Sequence, residues 1–290
     1  MNEIFLEDGK LVSEERWAEK IGSLTGKSVS VKTKAQALDI LKNSFENAIE
    51  KRMENINDFG IFFSGGIDST LIAFYAKRLK KKFACYSVGI ENSKDVEWAK
   101  KIAENLGFNL KFKIFSLEES EKIIKKAARL IGADVVKAGV AAVVIAAHEI
   151  SRNEKIFFSG LGSEELFAGY ERHSLAKDVN KECISGLKLM WERDLVRDFT
   201  LGKALGFEIR TPFLDEELIK ASVKIPGKYK IVDEHKKAIL REFAEEAGLP
   251  KEFAWRKKIA AQYGSGFDKA MEKLAKRNKF KTKKEYLLSL

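Results

Sequence analysis

The chain has 290 residues, 45% of them hydrophobic, which suffice for one large α/β core or two small ones. No apolar run reaches the roughly 18 residues of a membrane span, and the first residues lack the basic and then apolar order of a secretion signal, so we expect a cytoplasmic protein without a membrane partner. The net charge is +10, yet 43 acidic residues are interspersed among 53 basic ones and no RNA-binding motif occurs, which favours solvated charged faces over a nucleic-acid partner.

Apolar periodicity predicts alternating helices and strands. We expect an N-terminal extension over 1–34 and a single domain over 35–290 that ends in a basic tail. The predicted elements are helices at 38–49, 70–79, 98–106, 123–130 and 140–150, and strands at 59–63, 83–90, 110–114 and 155–160. Strands separated by helices imply parallel crossovers. The predicted fold class is therefore α/β, with a doubly wound, mostly parallel sheet, flanking helices and a helical C-terminal part.

The strand at 59–63 is followed by a sequence that predicts a polyphosphate-binding turn. Two adjacent glycines leave no Cβ between the backbone N–H groups and a phosphate, and the start of the next helix favours negative charge at the same place. Hydroxyl groups can donate to phosphate oxygens, and a carboxylate is compatible with phosphate if Mg²⁺ lies between them. A glycine turn that only connects the two elements is the alternative. The predicted nucleotide-binding residues here are Ser64, Gly65, Gly66, Asp68, Ser69 and Thr70.

The strand predicted at 155–160 leads into a similar sequence. The chain continues from Ser159 to Tyr170 as Ser-Gly-Leu-Gly-Ser-Glu-Glu-Leu-Phe-Ala-Gly-Tyr. Because ligands of open α/β sheets bind at the carboxyl ends of strands, Glu164 is expected to complete, with Asp68, an oxygen site for Mg²⁺. The alternative is that Glu164 and its neighbour Glu165 only complement the positive end of a helix.

Further motifs follow in a fixed order. They are Arg193-Asp194, Gly-Phe-Glu-Ile-Arg-Thr-Pro-Phe-Leu-Asp at 206–215, Lys237 with Arg241, and Arg256-Lys257-Lys258. Together with the two glycine turns, this series resembles the synthetase domain of asparagine synthetase B-type enzymes and the similar β-lactam synthetases, which are N-type ATP pyrophosphatases of the PP-loop superfamily. The resemblance covers about residues 35 to 266. It implies an adenine nucleotide alpha hydrolase-like fold.

The resemblance also implies a reaction. In the family a substrate carboxylate attacks the α-phosphorus of ATP and releases pyrophosphate, and an amine then attacks the acyl-adenylate to give AMP and an amide. The implied activity is that of a ligase that forms C–N bonds, with ATP and Mg²⁺ as cofactors. The expected substrates are aspartate and ammonia or another amine, with asparagine as the product. The absence of the lysine of a Gly-x-x-x-x-Gly-Lys-Ser/Thr loop agrees with cleavage elsewhere than at the γ-phosphate.

Residue by residue, the resemblance implies catalytic roles for Lys258, Asp68, Lys237 and Glu165. Lys258 would offset charge on the adenylate phosphate or the tetrahedral intermediate, with Lys257 as the second choice. The adenosine, sugar and phosphates are expected against Ser87, Val88, Gly160 and Gly162. Alternatives remain for the later motifs: Lys237 and Arg241 as ordinary solvated charges, 206–215 as a structural segment held by Arg210 and Asp215, and 256–258 as a helix terminus.

Two departures from the family pattern are visible. Glu164 stands where the family usually has Asp, and the added methylene changes the reach of a metal ligand. The chain has Asn2 where glutamine-dependent members expose a cysteine, so we expect nitrogen from ammonia, another amine or a separate glutaminase.

Two other functions stay open. One is a tRNA-modifying adenylating enzyme of the PP-loop superfamily, which the positive charge would suit. The other is a noncatalytic nucleotide-binding partner that has lost metal chemistry through Glu164. The oligomeric state is also open, with a homodimer among the alternatives.

Overall fold

A computed structural model describes residues 3–26, 29–151, 154–257 and 260–290. The strands in this part of the chain are β1 (Leu6–Glu7), β2 (Lys10–Leu11), β3 (Asp58–Phe62), β4 (Lys82–Ile90), β5 (Leu110–Phe115), β6 (Ile156–Phe158), β7 (Glu208–Arg210), β8 (Ile231–Val232) and β9 (His235–Lys236). The pairs β1–β2 and β8–β9 are short antiparallel hairpins. The remaining strands form one sheet.

The α-helices of the same residues account for most of the rest. In the first half they are α1 (Glu14–Leu24), α2 (Lys34–Met53), α3 (Ile67–Arg78), α4 (Lys94–Leu106), α5 (Leu117–Ile131) and α6 (Val135–Glu149). In the second half they are α7 (Ser163–Leu166), α8 (Glu171–Leu175), α9 (Val179–Met190), α10 (Val196–Leu205), α11 (Glu216–Lys224), α12 (Gly227–Lys230), α13 (Ala238–Glu246), α14 (Lys251–Ala254), α15 (Ala261–Gly264), α16 (Phe267–Arg277) and α17 (Lys283–Leu288).

Residue contacts divide the chain into two compact units. We call Asn57–Phe158, Arg197–Ile209 and Arg256–Leu290 the sheet unit, and Met1–Ile56, Ser159–Val196 and Arg210–Trp255 the helical unit. Each unit is assembled from three separate segments. The division of the chain into an N-terminal extension over 1–34 and a domain over 35–290 stays a prediction.

The central sheet has the strand order β5-β4-β3-β6-β7. The pairs β3–β4, β4–β5 and β3–β6 are parallel. The chain runs outward from β3 to β4 and β5 and then returns to place β6 on the other side of β3. Such a reversal of strand order is where open α/β sheets bind their ligands, off the carboxyl ends of the strands. The loop after β3 leaves the sheet at this reversal.

Strand β4 shows why helices cover both faces of the sheet. Its alternate residues Ala84, Tyr86, Val88 and Ile90 join one hydrophobic cluster with α5, α6 and α16. Successive side chains of a strand point to opposite faces, so the equally buried Cys85 belongs to the other face. Helices α3 and α4 also pack on β4. This arrangement confirms the predicted doubly wound α/β fold.

The helical unit includes the N-terminal segment in its core. Trp17 and Ile21 of α1 are fully buried. The indole Nε1 of Trp17 donates a hydrogen bond to the carbonyl oxygen of Leu187 at 2.8 Å. The described part of the predicted N-terminal extension is thus packed against residues that lie far along the chain.

Within the described ranges no single helix has both the length and the apolar character needed to cross a bilayer. Helices α5 and α6 meet the length and composition criteria only when taken together, and they are bent by 119° with respect to each other.

Candidate active site

The predicted polyphosphate-binding turn lies between β3 and α3 in the sheet unit. Gly65 has a φ of +65°, a conformation that residues with a side chain rarely adopt. A Cβ on Gly65 would also lie 3.1 Å from the backbone nitrogen of Ala99 and 3.1 Å from Nη1 of Arg256. Backbone conformation and space therefore both select glycine at this position.

Helix α3 begins directly after the glycines. Gly66 is its N-cap residue, with extended backbone, and provides no side-chain oxygen to the amides of the first turn. Ser, Thr, Asp and Asn are the residues whose side chains commonly fill this role. An N-terminus capped by glycine presents its amides and its positive dipole end to an external anion. The helix starts at Ile67, so the predicted start at residue 70 was three residues late.

Because of this earlier start, the three polar residues of the motif lie within the first turn. Asp68, Ser69 and Thr70 are all buried. The Ser69 hydroxyl donates to the carbonyl oxygen of Gly66 at 3.2 Å. Thr70 Oγ1 has no hydrogen-bond partner among the described residues. A buried hydroxyl without a partner is costly and marks a position that a ligand oxygen or a water can complete.

The predicted adenosine contacts lie on β4. Ser87 is buried, and its Oγ has no hydrogen-bond partner in the part of the chain that the structure describes. Val88 packs its side chain into the hydrophobic cluster of α5, α6 and α16, so it can offer only its backbone to a ligand. A Cβ on Gly89 would lie 2.2 Å from Ser93 Oγ, which leaves no room for a side chain where β4 ends.

The second predicted glycine turn lies in the helical unit. Gly162 has a φ of +95°, and a Cβ there would lie 2.5 Å from Leu214 Cδ2. The close contact of Gly162 is therefore with the Pro-Phe-Leu-Asp motif. The Gly160 carbonyl oxygen accepts a hydrogen bond from the Ser163 amide at 3.3 Å, which closes the turn into α7.

Three residues of this turn and of the start of α13 form a polar cluster. Lys237 Nζ lies 2.8 Å from Glu164 Oε1 and donates to Ser163 Oγ at 3.2 Å. Lys237 is 4% exposed and has a φ of +57°, which is uncommon for a residue with a side chain. Lys237 is therefore not an ordinary solvated charge, because its ammonium is held against the turn that carries Glu164.

Glu165 faces a different set of charges. Its carboxylate is 1% exposed and pairs with the guanidinium of Arg193, which also lies 2.6 Å from Asp194 Oδ2. Burial and the negative charge of Asp194 raise the pKa of Glu165 to about 7, although Arg193 opposes this shift. The Arg193-Asp194 motif thus acts on Glu165, a connection that sequence spacing did not reveal.

The end of the 206–215 motif belongs to a buried ion network in the helical unit. Arg52 Nη1 lies 2.9 Å from Asp215 Oδ2, and Arg52 Nη2 lies 3.0 Å from Glu3 Oε2. Glu3 in turn accepts hydrogen bonds from the amide and the hydroxyl of Thr211, at 3.0 and 2.9 Å. This position of Asp215, which is buried and paired with Arg52, agrees with the interpretation of 206–215 as a structural segment.

Lys258, the first choice for the catalytic lysine, lies outside the described residues. Its neighbour Lys257 is exposed. Arg256, at the start of the same motif, is buried in the sheet unit and donates from Nη1 to the carbonyl oxygen of Ser64 at 3.0 Å. Its Nη2 pairs with Asp95 at 3.1 Å. Sequence reasoning did not single out Asp95, because no local pattern links it to a loop thirty residues earlier.

The donor set bears on a metal ion. Within the described ranges, no group of three or more His, Cys, Asp or Glu side chains converges as a metal site. Mg²⁺ is commonly held by one or two carboxylates together with substrate phosphates and water. Asp68 is a buried carboxylate beside the predicted polyphosphate-binding turn, and this position fits that mode of binding.

Comparisons with known proteins agree with the motif series. A family model described as asparagine synthase matches residues 41–183 and 174–285. A protein of Methanocaldococcus jannaschii named putative asparagine synthetase (glutamine-hydrolyzing) 1 is 33% identical over 86% of this chain and 53% of its own length. An asparagine synthetase (glutamine-hydrolyzing) of Gallus gallus is 29% identical over 76% of this chain and 42% of its own length.

A third relative, asparagine synthetase (glutamine-hydrolyzing) 3 of Arabidopsis thaliana, is 28% identical over 79% of this chain and 43% of its own length. This chain thus spans about half the length of these relatives or slightly less. The family model covers most of the chain and includes both glycine turns and all the later motifs. The chain therefore belongs to the asparagine synthase family.

Proposed function

We propose that this protein is an ATP-dependent, AMP-forming amide synthetase that activates a carboxylate, with aspartate as the first candidate, and amidates it with ammonia or another amine. The observation that carries the proposal is the glycine turn between β3 and α3, where Gly65 is in the left-handed region and Gly66 leaves the helix N-terminus without a side-chain cap. Such a turn accommodates phosphates through backbone amides.

The proposed reaction has two steps, adenylation of the carboxylate and amidation of the acyl-adenylate. A carboxylate oxygen attacks the α-phosphorus of ATP, the bond from that phosphorus to the bridging oxygen breaks, and pyrophosphate leaves. The nitrogen of ammonia then attacks the acyl carbon, AMP leaves with its phosphate oxygen, and the nitrogen loses a proton. Both steps develop negative charge on a leaving phosphate, which fixed donors stabilise most effectively.

We assign the leaving pyrophosphate to the sheet unit. The amides of the turn and the hydroxyls of Ser64, Ser69 and Thr70 would donate to its oxygens. Asp68 would hold Mg²⁺, which neutralises phosphate charge when it is bound. Ser87 would face the adenosine, since its buried hydroxyl has no partner among the described residues. Glu164, the other carboxylate assigned to the metal, would have to exchange its pairing with Lys237 for the ion.

The helical unit would supply proton transfer and charge compensation. A carboxylate with a pKa of about 7 is suited to accept a proton near neutral pH, so Glu165 is the candidate base. Lys237 would stabilise negative charge on a substrate carboxylate or phosphate. Gly160 and Gly162 stay the proposed contacts of the sugar and the phosphates. Lys258, or failing it Lys257, would stabilise the tetrahedral intermediate.

Exchange of labelled pyrophosphate into ATP tests the first step directly. We expect exchange that requires both aspartate and Mg²⁺, and formation of AMP when ammonium is added. Asp68→Asn should abolish exchange while far-UV circular dichroism stays unchanged. Parallel assays with ammonium and with glutamine identify the nitrogen donor. The proposal would be contradicted if no carboxylate tested changed the rate of exchange, or if Asp68→Asn retained full exchange.

A basic cavity in the sheet unit favours a second candidate. A cavity of about 530 Å³ is lined by Lys122, Lys125, Lys126, Arg129, Leu130 and Ala204. A cluster of cations suits a nucleic-acid backbone, as a tRNA-modifying adenylating enzyme would require. Pyrophosphate exchange that depends on RNA and falls steeply with salt would favour this candidate. ATP binding without any exchange would instead indicate a noncatalytic nucleotide-binding protein.

A further inference from the structure

The guanidinium of Arg256 is hydrogen-bonded to a backbone carbonyl oxygen of the glycine turn, that of Ser64. Its Nη1 donates to the carbonyl oxygen of Ser64 at 3.0 Å. Its Nη2 pairs with Asp95 Oδ1 at 3.1 Å, and both side chains are almost fully buried, with 4% and 3% exposed. The guanidinium also lies 5.1 Å from the centre of the Trp98 ring. A planar guanidinium held on several sides has little freedom to turn.

The bond to Ser64 constrains the direction of a neighbouring donor. The carbonyl of Ser64 and the N–H of Gly65 belong to the same peptide group, which is planar and trans, so they point in opposite directions. When Arg256 holds the carbonyl on one side, the Gly65 N–H is directed to the other side. The space next to Gly65 is filled by the same guanidinium, because a Cβ there would lie 3.1 Å from Nη1.

We propose that Arg256 is a positioning residue that presents the Gly65 amide to the pyrophosphate of ATP. Asp95 compensates the charge of Arg256. Arg256 therefore acts through the orientation of the Ser64–Gly65 peptide group. The inference rests on the proposed function of the turn as a pyrophosphate site.

The experiment measures binding of inorganic pyrophosphate with Mg²⁺ to the full chain by titration calorimetry. Arg256→Lys keeps the positive charge but cannot reproduce the planar fork, and Arg256→Ala removes both. We expect each variant to weaken binding about tenfold or more, as for loss of a hydrogen bond from a charged donor. Guanidinium ion at millimolar concentration should restore binding to Arg256→Ala and leave Arg256→Lys unchanged.

A matched control and a second readout separate positioning from general damage. Arg277→Lys makes the same chemical change at an exposed ion pair with Glu118 and should bind pyrophosphate like the unmodified protein. Hydrogen exchange should become faster at the Gly65 amide in both Arg256 variants, while the melting temperature of Arg256→Lys stays close to that of the unmodified protein. If Arg256→Ala does not fold, Arg256→Lys alone decides the outcome.

The outcomes are distinct. If the unmodified protein does not bind pyrophosphate, the proposed function of the turn fails. If it binds and the folded Arg256 variants bind equally well, the positioning role is wrong. Full binding by Arg256→Lys beside weak binding by Arg256→Ala would identify a direct charge contact with phosphate and would also overturn positioning.

Discussion

Lys237 Nζ lies 2.8 Å from Glu164 Oε1, and this ion pair joins the residue that caps α13 to the first turn of α7. Glu164 was predicted as a metal ligand and Lys237 as a catalytic cation, each from its own motif. Their ion pair shows that the charges of the two motifs compensate each other within the helical unit. A ligand that binds Glu164 or Lys237 in place of this ion pair removes the counter-charge of the other residue. That residue then needs a new counter-charge.

Replacement of Lys237 by Met should lower aspartate-dependent pyrophosphate exchange about a hundredfold, a typical effect of removing a fixed charge stabiliser. Stability should change little, because the Glu164 side chain is 32% exposed and can be rehydrated. The control is the adjacent Lys236→Met, which removes an exposed ion pair with Glu171 and should leave exchange intact. Equal activities of the two variants would assign Lys237 a purely structural role.

Gly169→Ala should disturb the same ion pair by steric contact. A Cβ at Gly169 would lie 1.6 Å from Glu164 Oε2 and 2.5 Å from Lys237 Cε, so both side chains must move. We expect a loss of about 1–3 kcal/mol in the free energy of unfolding together with reduced exchange activity. Gly22→Ala in α1 is the control, since no atom lies within 4 Å of the place that its added methyl group would take. That variant should be neutral or stabilised by up to about 1 kcal/mol.

The raised pKa of Glu165 predicts a pH-dependent cost of folding. Its usual value of 4.5 applies to the unfolded chain and the value of about 7 to the folded one, so the folded state binds more protons between these pH values. The contribution of Glu165 to stability is therefore retained below pH 4.5 and is lost as the pH rises to 7. The loss is on the order of 3 kcal/mol.

Urea titrations of Glu165→Gln and the unmodified protein at several pH values measure this effect. The stability of the Gln variant relative to the unmodified protein should increase between pH 4.5 and 7 and then stay constant. His173, whose pKa is lowered to about 4 by burial and nearby cations, contributes with the opposite sign, since its stabilisation is lost as the pH falls. Both proteins carry His173, so its contribution cancels, and a difference that does not vary with pH would contradict the raised pKa.

Arg52→Met should destabilise the helical unit strongly. Burial opposes the charge of Arg52, but the carboxylates of Glu3 and Asp215 raise its pKa, so the three groups depend on one another. Removing the cation takes the ion pair with Arg52 from both buried carboxylates and leaves Asp215 with the half-exposed Lys51 at 3.8 Å, at a cost of about 3–5 kcal/mol. Arg16→Met removes an exposed pair with Glu7 and should cost less than about 1 kcal/mol. Chemical denaturation of both variants measures the difference, and similar values would rule out the buried network as a major source of stability.

Local patterns were sufficient for much of the fold. The alternation of apolar runs placed β3, β4, β5 and β6 and the helices between them close to their observed positions, because the side chains that a strand or helix buries recur with its own period. The start of α3 was missed by three residues, because a glycine N-cap carries no side-chain signal of the kind that Ser or Asp provides. The two units, each built from three separate segments of the chain, were not predicted, because local patterns do not show which distant segments pack together.

The motifs also predicted which types of residue form the candidate site, because adjacent glycines in a turn followed by hydroxyl groups at a helix start are typical of a phosphate-binding turn. The partners of those residues were not. Arg256 reaches Ser64 across 192 positions of the sequence, and Arg52 reaches Asp215 across 163. The pKa of Glu165 depends on burial and on Asp194. Such contacts and such burial exist only after the chain has folded, because they join segments that no local spacing connects.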